Sequence, residues 1–207
     1  MKSKIHYFVM FLFVAAFSIS NISCSVWQTM QNLGRLKFKL GAVNQFTFNG
    51  VNISNKSKLA DFSAMEILSI SSAVANGRLP VSFTLNVDAK NPNDGTGGYK
   101  STNVSLNSFP WRLLIDDKET ISGNIGSPVQ VPGTGESSVI PLQMNIDLMT
   151  FFKDKGYESL LNLALNLGGK GGSSSKLTLF AKPVVGTSMG NISYPNELKI
   201  VNYEFTN

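Results

Sequence analysis

Residues Leu79–Asn93 read LPVSFTLNVDAKNPN, and they alternate. Leu79, Val81, Phe83, Leu85, Val87 and Ala89 share one parity; Ser82, Thr84, Asn86, Asp88 and Lys90 share the other. Side chains along a strand point to opposite faces in turn, so the pattern predicts a strand with one buried and one wet face. It stops at Asn91-Pro92-Asn93. Pro92 removes a backbone donor and pushes Asn91 towards extended geometry, while the two Asn side chains can bond nearby backbone. The expectation is a long central strand of a β-sandwich, ended by a rigid polar corner.

The same period recurs along the chain. Arg35–Ala42 places Leu36, Phe38, Leu40 and Ala42 inside and Arg35, Lys37 and Lys39 outside; lysines on such a strand mark an edge protected against pairing. Gln45–Ile53 follows, folded around the tight-turn dipeptide Asn49-Gly50. Tyr99–Phe109 carries Val104 and Leu106 on one face and is interrupted by Pro110, which suits an edge or a crossover between sheets. Trp111, Leu113 and Ile115 resume the alternation before a charged turn at Asp116–Glu119. Ser137–Ile146, Lys176–Lys182 and Glu197–Phe205 are further strands.

Two stretches change period. Asp61 or Ser63 caps a short helix running to about Asn76, with Ala64, Ile67, Leu68, Ser71, Val74 and Ala75 near one face and Gly77 as its stop. That helix is expected to plug one end of the sandwich. Asp147 caps a segment to Leu167 with a wide apolar arc, divided near Gly156 and followed by the flexible loop Gly168–Ser175. Several short strands divided by turn signals predict an all-β sandwich: one domain over 35–207 with helical insertions near 61–76 and 147–167.

Lys2 and Lys4 precede an unbroken apolar run, Tyr7–Phe17, and small polar residues follow at once. The run is shorter than the roughly 20 residues of a spanning helix, so residues 1–23 are expected to be a secretory signal. Cys24, the sole cysteine, closes Ser20-Asn21-Ile22-Ser23-Cys24. The arrangement resembles a bacterial lipobox, whose cysteine receives a diacylglyceryl group and becomes the first residue. Ile22 and Ser23 fit that pattern; Asn21 stands where an apolar residue is usual. Cleavage after Ser18-Ile19-Ser20 is the alternative and would leave a free thiol in an exported chain, liable to oxidation or mispairing. Lipidation accounts for both the number and the placement of cysteine. Residues 24–34 then form a tether, and the membrane is reached through the N-terminal lipid. Ser25-Val26-Trp27 supplies no acidic retention signal, which implies the outer membrane, facing the periplasm.

Removing Lys2 and Lys4 from 18 basic residues leaves 16 against 13 acidic ones, too small an excess for the footprint of a nucleic-acid binder. The one histidine, His6, leaves with the signal. A mature chain without histidine, its cysteine acylated, cannot build Ser-His-Asp or Cys-His triads, or His/Cys metal sites. Asp116, Asp117 and Glu119 read as a solvated turn rather than a carboxylate pair. Asp88, Asn91, Asn93 and Asp94 offer hard oxygens without the spacing of an EF-hand loop, and read as turn formers. No catalytic residue, cofactor or metal is expected; the reading is a monomer that is not an enzyme.

The ordered run from Val81 to Ile146 resembles the type-2 late embryogenesis abundant domain, also called the water stress and hypersensitive response domain. The alternating strand ends in Asn91-Pro92-Asn93. A tyrosine-bearing strand follows at Tyr99–Leu106, then a short hairpin at Leu114–Gly123 and an extended Pro/Gly segment leading into Val129–Ile146. The segment Phe109-Pro110-Trp111 departs from the family's plain hairpin. The likeness covers roughly residues 36–146, and 147–168 and the tail look like extensions of exported bacterial members. It implies an immunoglobulin- or fibronectin-III-like β-sandwich in which Asn91, Pro92 and Asn93 are structural. It implies no catalytic residues, and a protective role under desiccation or envelope stress. The alternative function is a carrier of lipid or another apolar ligand, in a groove beside the 147–167 helices; adhesion to an envelope partner is a third. Full packing of that helical face against the sheet would remove the carrier's groove.

Overall fold

A computed structural model describes residues 35–98, 101–167, 176–187, 190–201 and 206. The signal segment, Cys24, the tether, the loop 168–175, Tyr99 and the final aromatic residues Tyr203 and Phe205 lie outside the described residues. Strands β1 (Lys37–Phe48), β2 (Val51–Asn52), β3 (Pro80–Lys90), β4 (Val104–Ser108), β5 (Trp111–Ile115) and β6 (Lys118–Gly123) are followed by β7 (Val129–Val131) and β8 (Ser137–Asp147). The C-terminal part adds β9 (Leu177–Ala181), β10 (Val184–Thr187), β11 (Gly190–Ser193) and β12 (Leu198–Ile200). Helices α1 (Ala64–Ala75), α2 (Leu148–Phe152) and α3 (Tyr157–Leu167) are insertions in an all-β sandwich.

The first sheet has the order β2-β1-β3-β8, with every pairing antiparallel. As its alternation demands, β3 is central: it runs beside β8 without a break from Pro80↔Asp147 to Lys90↔Ser137. Val81, Phe83, Leu85, Val87 and Ala89 are all buried. The Asn49-Gly50 turn joins β1 to β2, both residues in the left-handed region at φ 47° and 79°.

Strand β1 corrects one expectation. Its register against β3 shifts between Leu40 and Val43 and again between Asn44 and Thr47. Each shift inserts one extra residue, and one extra residue reverses the faces of those that follow. Ala42 is therefore exposed rather than inside, and the second shift returns Phe46 and Phe48 to the core. Beyond β2, the outer edge of β1 is not bare. Leu40 N donates to Val201 O at 2.9 Å, Thr206 N donates to Phe38 O at 2.9 Å, and Phe38 N donates to Thr206 Oγ1 at 3.0 Å. Val201 and Thr206 close the edge that Lys37 and Lys39 were expected to guard.

The other two sheets, β11-β10-β4-β7 and β12-β9-β5-β6, are halves of one bent layer. Each half-strand continues into its counterpart: β4 into β5, β6 into β7, β9 into β10, β11 into β12. Neighbours keep the same order in both halves. All four joints carry a proline: Pro110, Pro128, Pro183 and Pro195. Proline lacks the ladder donor, so the ladder must break there. Bonds outside the ladders take over. Lys182 N donates to Pro110 O and Tyr194 N to Pro183 O, both at 2.9 Å, while Phe109 N donates to Asn124 Oδ1 at 2.7 Å. Pro110 thus marks a crease in a continuing strand. Phe109 beside it meets Phe38 of the first sheet, ring centroids 5.4 Å apart.

Helix α1 has the caps its sequence promised. Ser63 and Glu66 form a capping box, and Glu66 also bonds Lys56 at 2.9 Å. Gly77, at φ 70°, ends it: Arg78 N donates to Ala73 O and Gly77 N to Val74 O. Its buried face differs from the expected one. Ile70 is its sole buried residue, with Ile67 and Val74 partly buried against the core, a stripe at i, i+3 and i+7. Leu68 lies off that stripe and is 63% exposed; Met65 is 74% exposed. The helix lies on the surface, held by one line of contacts. In α3, by contrast, Leu160, Leu161, Leu163, Ala164, Leu165 and Leu167 are all buried in the common core.

The rotated face of α1 is testable by urea denaturation. Ile70→Ala should cost about 2–5 kcal/mol as a core truncation. Leu68→Ala should stay within about 0.5 kcal/mol, as an exposed surface change does.

Candidate functional site

The Asn91-Pro92-Asn93 corner forms a joint between the layers. Asn91 and Asn93 are each 0% exposed. The Asn91 amide donates to Thr102 O at 2.7 Å and Val131 O at 3.2 Å, and its Oδ1 accepts from Asn93 N at 3.1 Å. Thr102 leads into β4 and Val131 ends β7, so one side chain at the end of β3 holds two strands of the opposite layer. Arg35 Nη1 donates to Asn93 Oδ1 at 2.9 Å, and Thr102 N to Asn93 O at 3.2 Å. Gly133 seals the cluster: a β-carbon there would meet Asn93 O at 2.6 Å and Thr102 N and O at 2.7 Å. Asn91 was expected to make a turn through its neighbours; the bonds to Thr102 and Val131 were not legible.

The acidic groups are likewise committed to structure. Asp94 accepts from Thr96 N at 3.0 Å and Thr96 Oγ1 at 2.6 Å, and those bonds hold its carboxyl below the usual range. Asp116 and Asp117 form a left-handed turn at φ 50° and 63°. Asp116 Oδ1 accepts from Lys176 N at 3.0 Å, and Asp117 pairs with the Lys176 ammonium at 2.7 Å. Among the described residues, no group of three His, Cys, Asp or Glu side chains could hold a metal ion.

A groove of about 470 Å³ lies at the crease. Pro110, Trp111 and Arg112 form one wall from the β4–β5 joint, with Glu119 and Ser122 of β6 beside them. Lys182 and Val184 come from the β9–β10 joint, and Ser193 and Glu197 from the β11–β12 joint. Arg112 is the hub. It bonds Glu119 at 2.9 Å and Glu197 at 3.0 Å, and its guanidinium lies over the Phe180 ring, 4.2 Å from the centroid. The pairing with Arg112 holds Glu197 below its ordinary value, helped by the charge of Lys182, and pushes Arg112 up. Trp111 is 6% exposed, and its indole N–H has no hydrogen-bond partner among the described residues. Gly123 makes room for the ring: a β-carbon there would stand 2.6 Å from Trp111 Cζ2. Sequence reading missed this groove, because its residues come from strands far apart in the chain. The signal was three strands each broken by an X-Pro step: Phe109-Pro110, Lys182-Pro183 and Tyr194-Pro195.

The site is thus a mixed-charge groove on the bent layer of an all-β sandwich. No family model matches the chain, and no curated protein matches it. Among solved structures it is similar to one described as a crystal structure of a protein from Archaeoglobus fulgidus. The likeness has 10% identity and a TM-score of 0.33, and covers 80% of this chain and 99% of that one.

Two outcomes follow from this geometry. Asn91→Ala removes the amide donor from the buried Val131 carbonyl, and should cost roughly 1–3 kcal/mol in urea denaturation. Glu197→Gln tests the hub by pH. A carboxyl whose folded pKa is lowered adds stability above its unfolded value, and loses it as pH falls through the folded value. The stability gap between the parent and Glu197→Gln should therefore be widest near neutrality. It should close as pH drops below the ordinary carboxylate range, read as urea midpoints across pH.

Proposed function

We propose that the chain is a lipid-anchored, non-catalytic module of the cell envelope, of the type-2 late embryogenesis abundant kind, protective under desiccation or envelope stress. The observation that carries this reading is the Asn91-Pro92-Asn93 corner. Asn91 and Asn93 are buried, and Asn91 is bonded across the two layers, which supports the structural role that the likeness implies for them. Strand order supports the fibronectin-III-like form. Joining the half-strands gives β1-β3-β8 in one layer, and β7/β6, β4/β5, β10/β9 and β11/β12 in the other. A carrier of apolar ligands finds less support, since the leucines of α3 that would line its groove are core.

Anchoring rests on Lys2 and Lys4, the Tyr7–Phe17 run and Cys24. Mass spectrometry of the protein purified from host membranes should find an acylated Cys24 as the first residue, and Cys24→Ser should release the protein from the membrane fraction. Cleavage after Ser20 with a free thiol would overturn the anchor. Protection is tested by drying a labile enzyme with the purified protein. Recovered activity should exceed that with an equal mass of serum albumin, and parity would remove the protective role.

A further inference from the structure

We infer that the groove at the crease is a binding site for a neutral saccharide. The charge arrangement is the first reason. Arg112 is already held by Glu119 and Glu197, and Lys182 lines the same groove. An anionic ligand would face two carboxylates, and a cationic one would face Arg112 and Lys182. Bringing a charge out of water into such a site gains little, because each favourable partner is offset by an opposed one.

What the walls still offer is hydrogen bonding. Each carboxylate has more acceptor positions than Arg112 occupies, the Lys182 ammonium carries three donors, and Ser122 and Ser193 both donate and accept. Pro110 and Val184 give the same groove an apolar strip. A sugar ring matches this inventory: hydroxyls that donate and accept, C–H faces for the strip, and no net charge. The volume falls within the range of about 300–1,000 Å³ typical of small-molecule sites. The inference does not rest on the lipid anchor or on a protective role.

Trp111 supplies the readout. The chain has two tryptophans, so Trp27→Phe leaves Trp111 as the only indole. The full processed chain carrying that change, in the non-glycosidic detergent lauryldimethylamine oxide, is titrated with N,N′-diacetylchitobiose. The expected result is a saturable change in Trp111 emission with a Kd in the millimolar range or tighter. Lys182→Ala, at an exposed position, should weaken binding about tenfold, as loss of a hydrogen bond to a charged group does. No saturable response, an equal response to glycerol at the same concentration, or a Lys182→Ala variant that titrates like its parent would each overturn the assignment.

Discussion

The side-chain amide of Asn91 bonds two carbonyls in the opposite layer and one N–H in its own corner, and the relation between the layers depends on it. Sheet faces attract one another through apolar area, which has no direction. A sandwich cemented by Phe, Leu and Val alone could slide at modest cost. Hydrogen bonds inside the core are directional, and a buried amide that loses its partners is heavily penalised. Asn91 therefore fixes where β3 meets β4 and β7. Beside it, Gly133 lies so close to Asn93 and Thr102 that a β-carbon would not fit. Pro92, with no N–H to satisfy, is well suited to the middle of that joint.

From this fixed end the bent layer runs to its crease. Pro110 and Pro183 each delete a ladder donor, and a layer missing donors on adjacent strands has to bend there. The crease sets the geometry of Arg112 as well. Its side chain spans from β5 to Glu119 on one flank and Glu197 on the other, over the ring of Phe180. Tyr194, at the β11–β12 joint, is buried, and burial raises its phenol above the usual range although a hydrogen bond with the Leu36 backbone pulls it down. That bond ties the crease to the start of β1.

Sequence alternation made β3 and β8 legible in full, because strands with one buried face carry a period of two in every residue. It failed where the backbone itself breaks the period. The shifts at Leu40/Val43 and Asn44/Thr47 leave no mark in residue type, so Ala42 was read as interior. On α1 the apolar residues cover too much of the circumference to identify the inner line, and Leu68 was taken for a core residue while Ile70 carried the contact. The corner was legible as a motif but its partners were not, since Thr102 and Val131 are brought to Asn91 only by the packing of the layers. The groove was invisible for the same reason.

The clasp on the outer edge of β1 has a temporal meaning. Phe38 and Leu40 take backbone partners from Thr206 and Val201, and Phe38 and Thr206 stand 168 residues apart in sequence. Contacts between segments so distant close the largest loops and reward the chain late. Until Val201 and Thr206 dock, the outer edge of β1 presents unpaired donors and acceptors to any neighbouring strand. The return of that distant segment, rather than formation of the core, is the step that ends the exposure of this edge to aggregation.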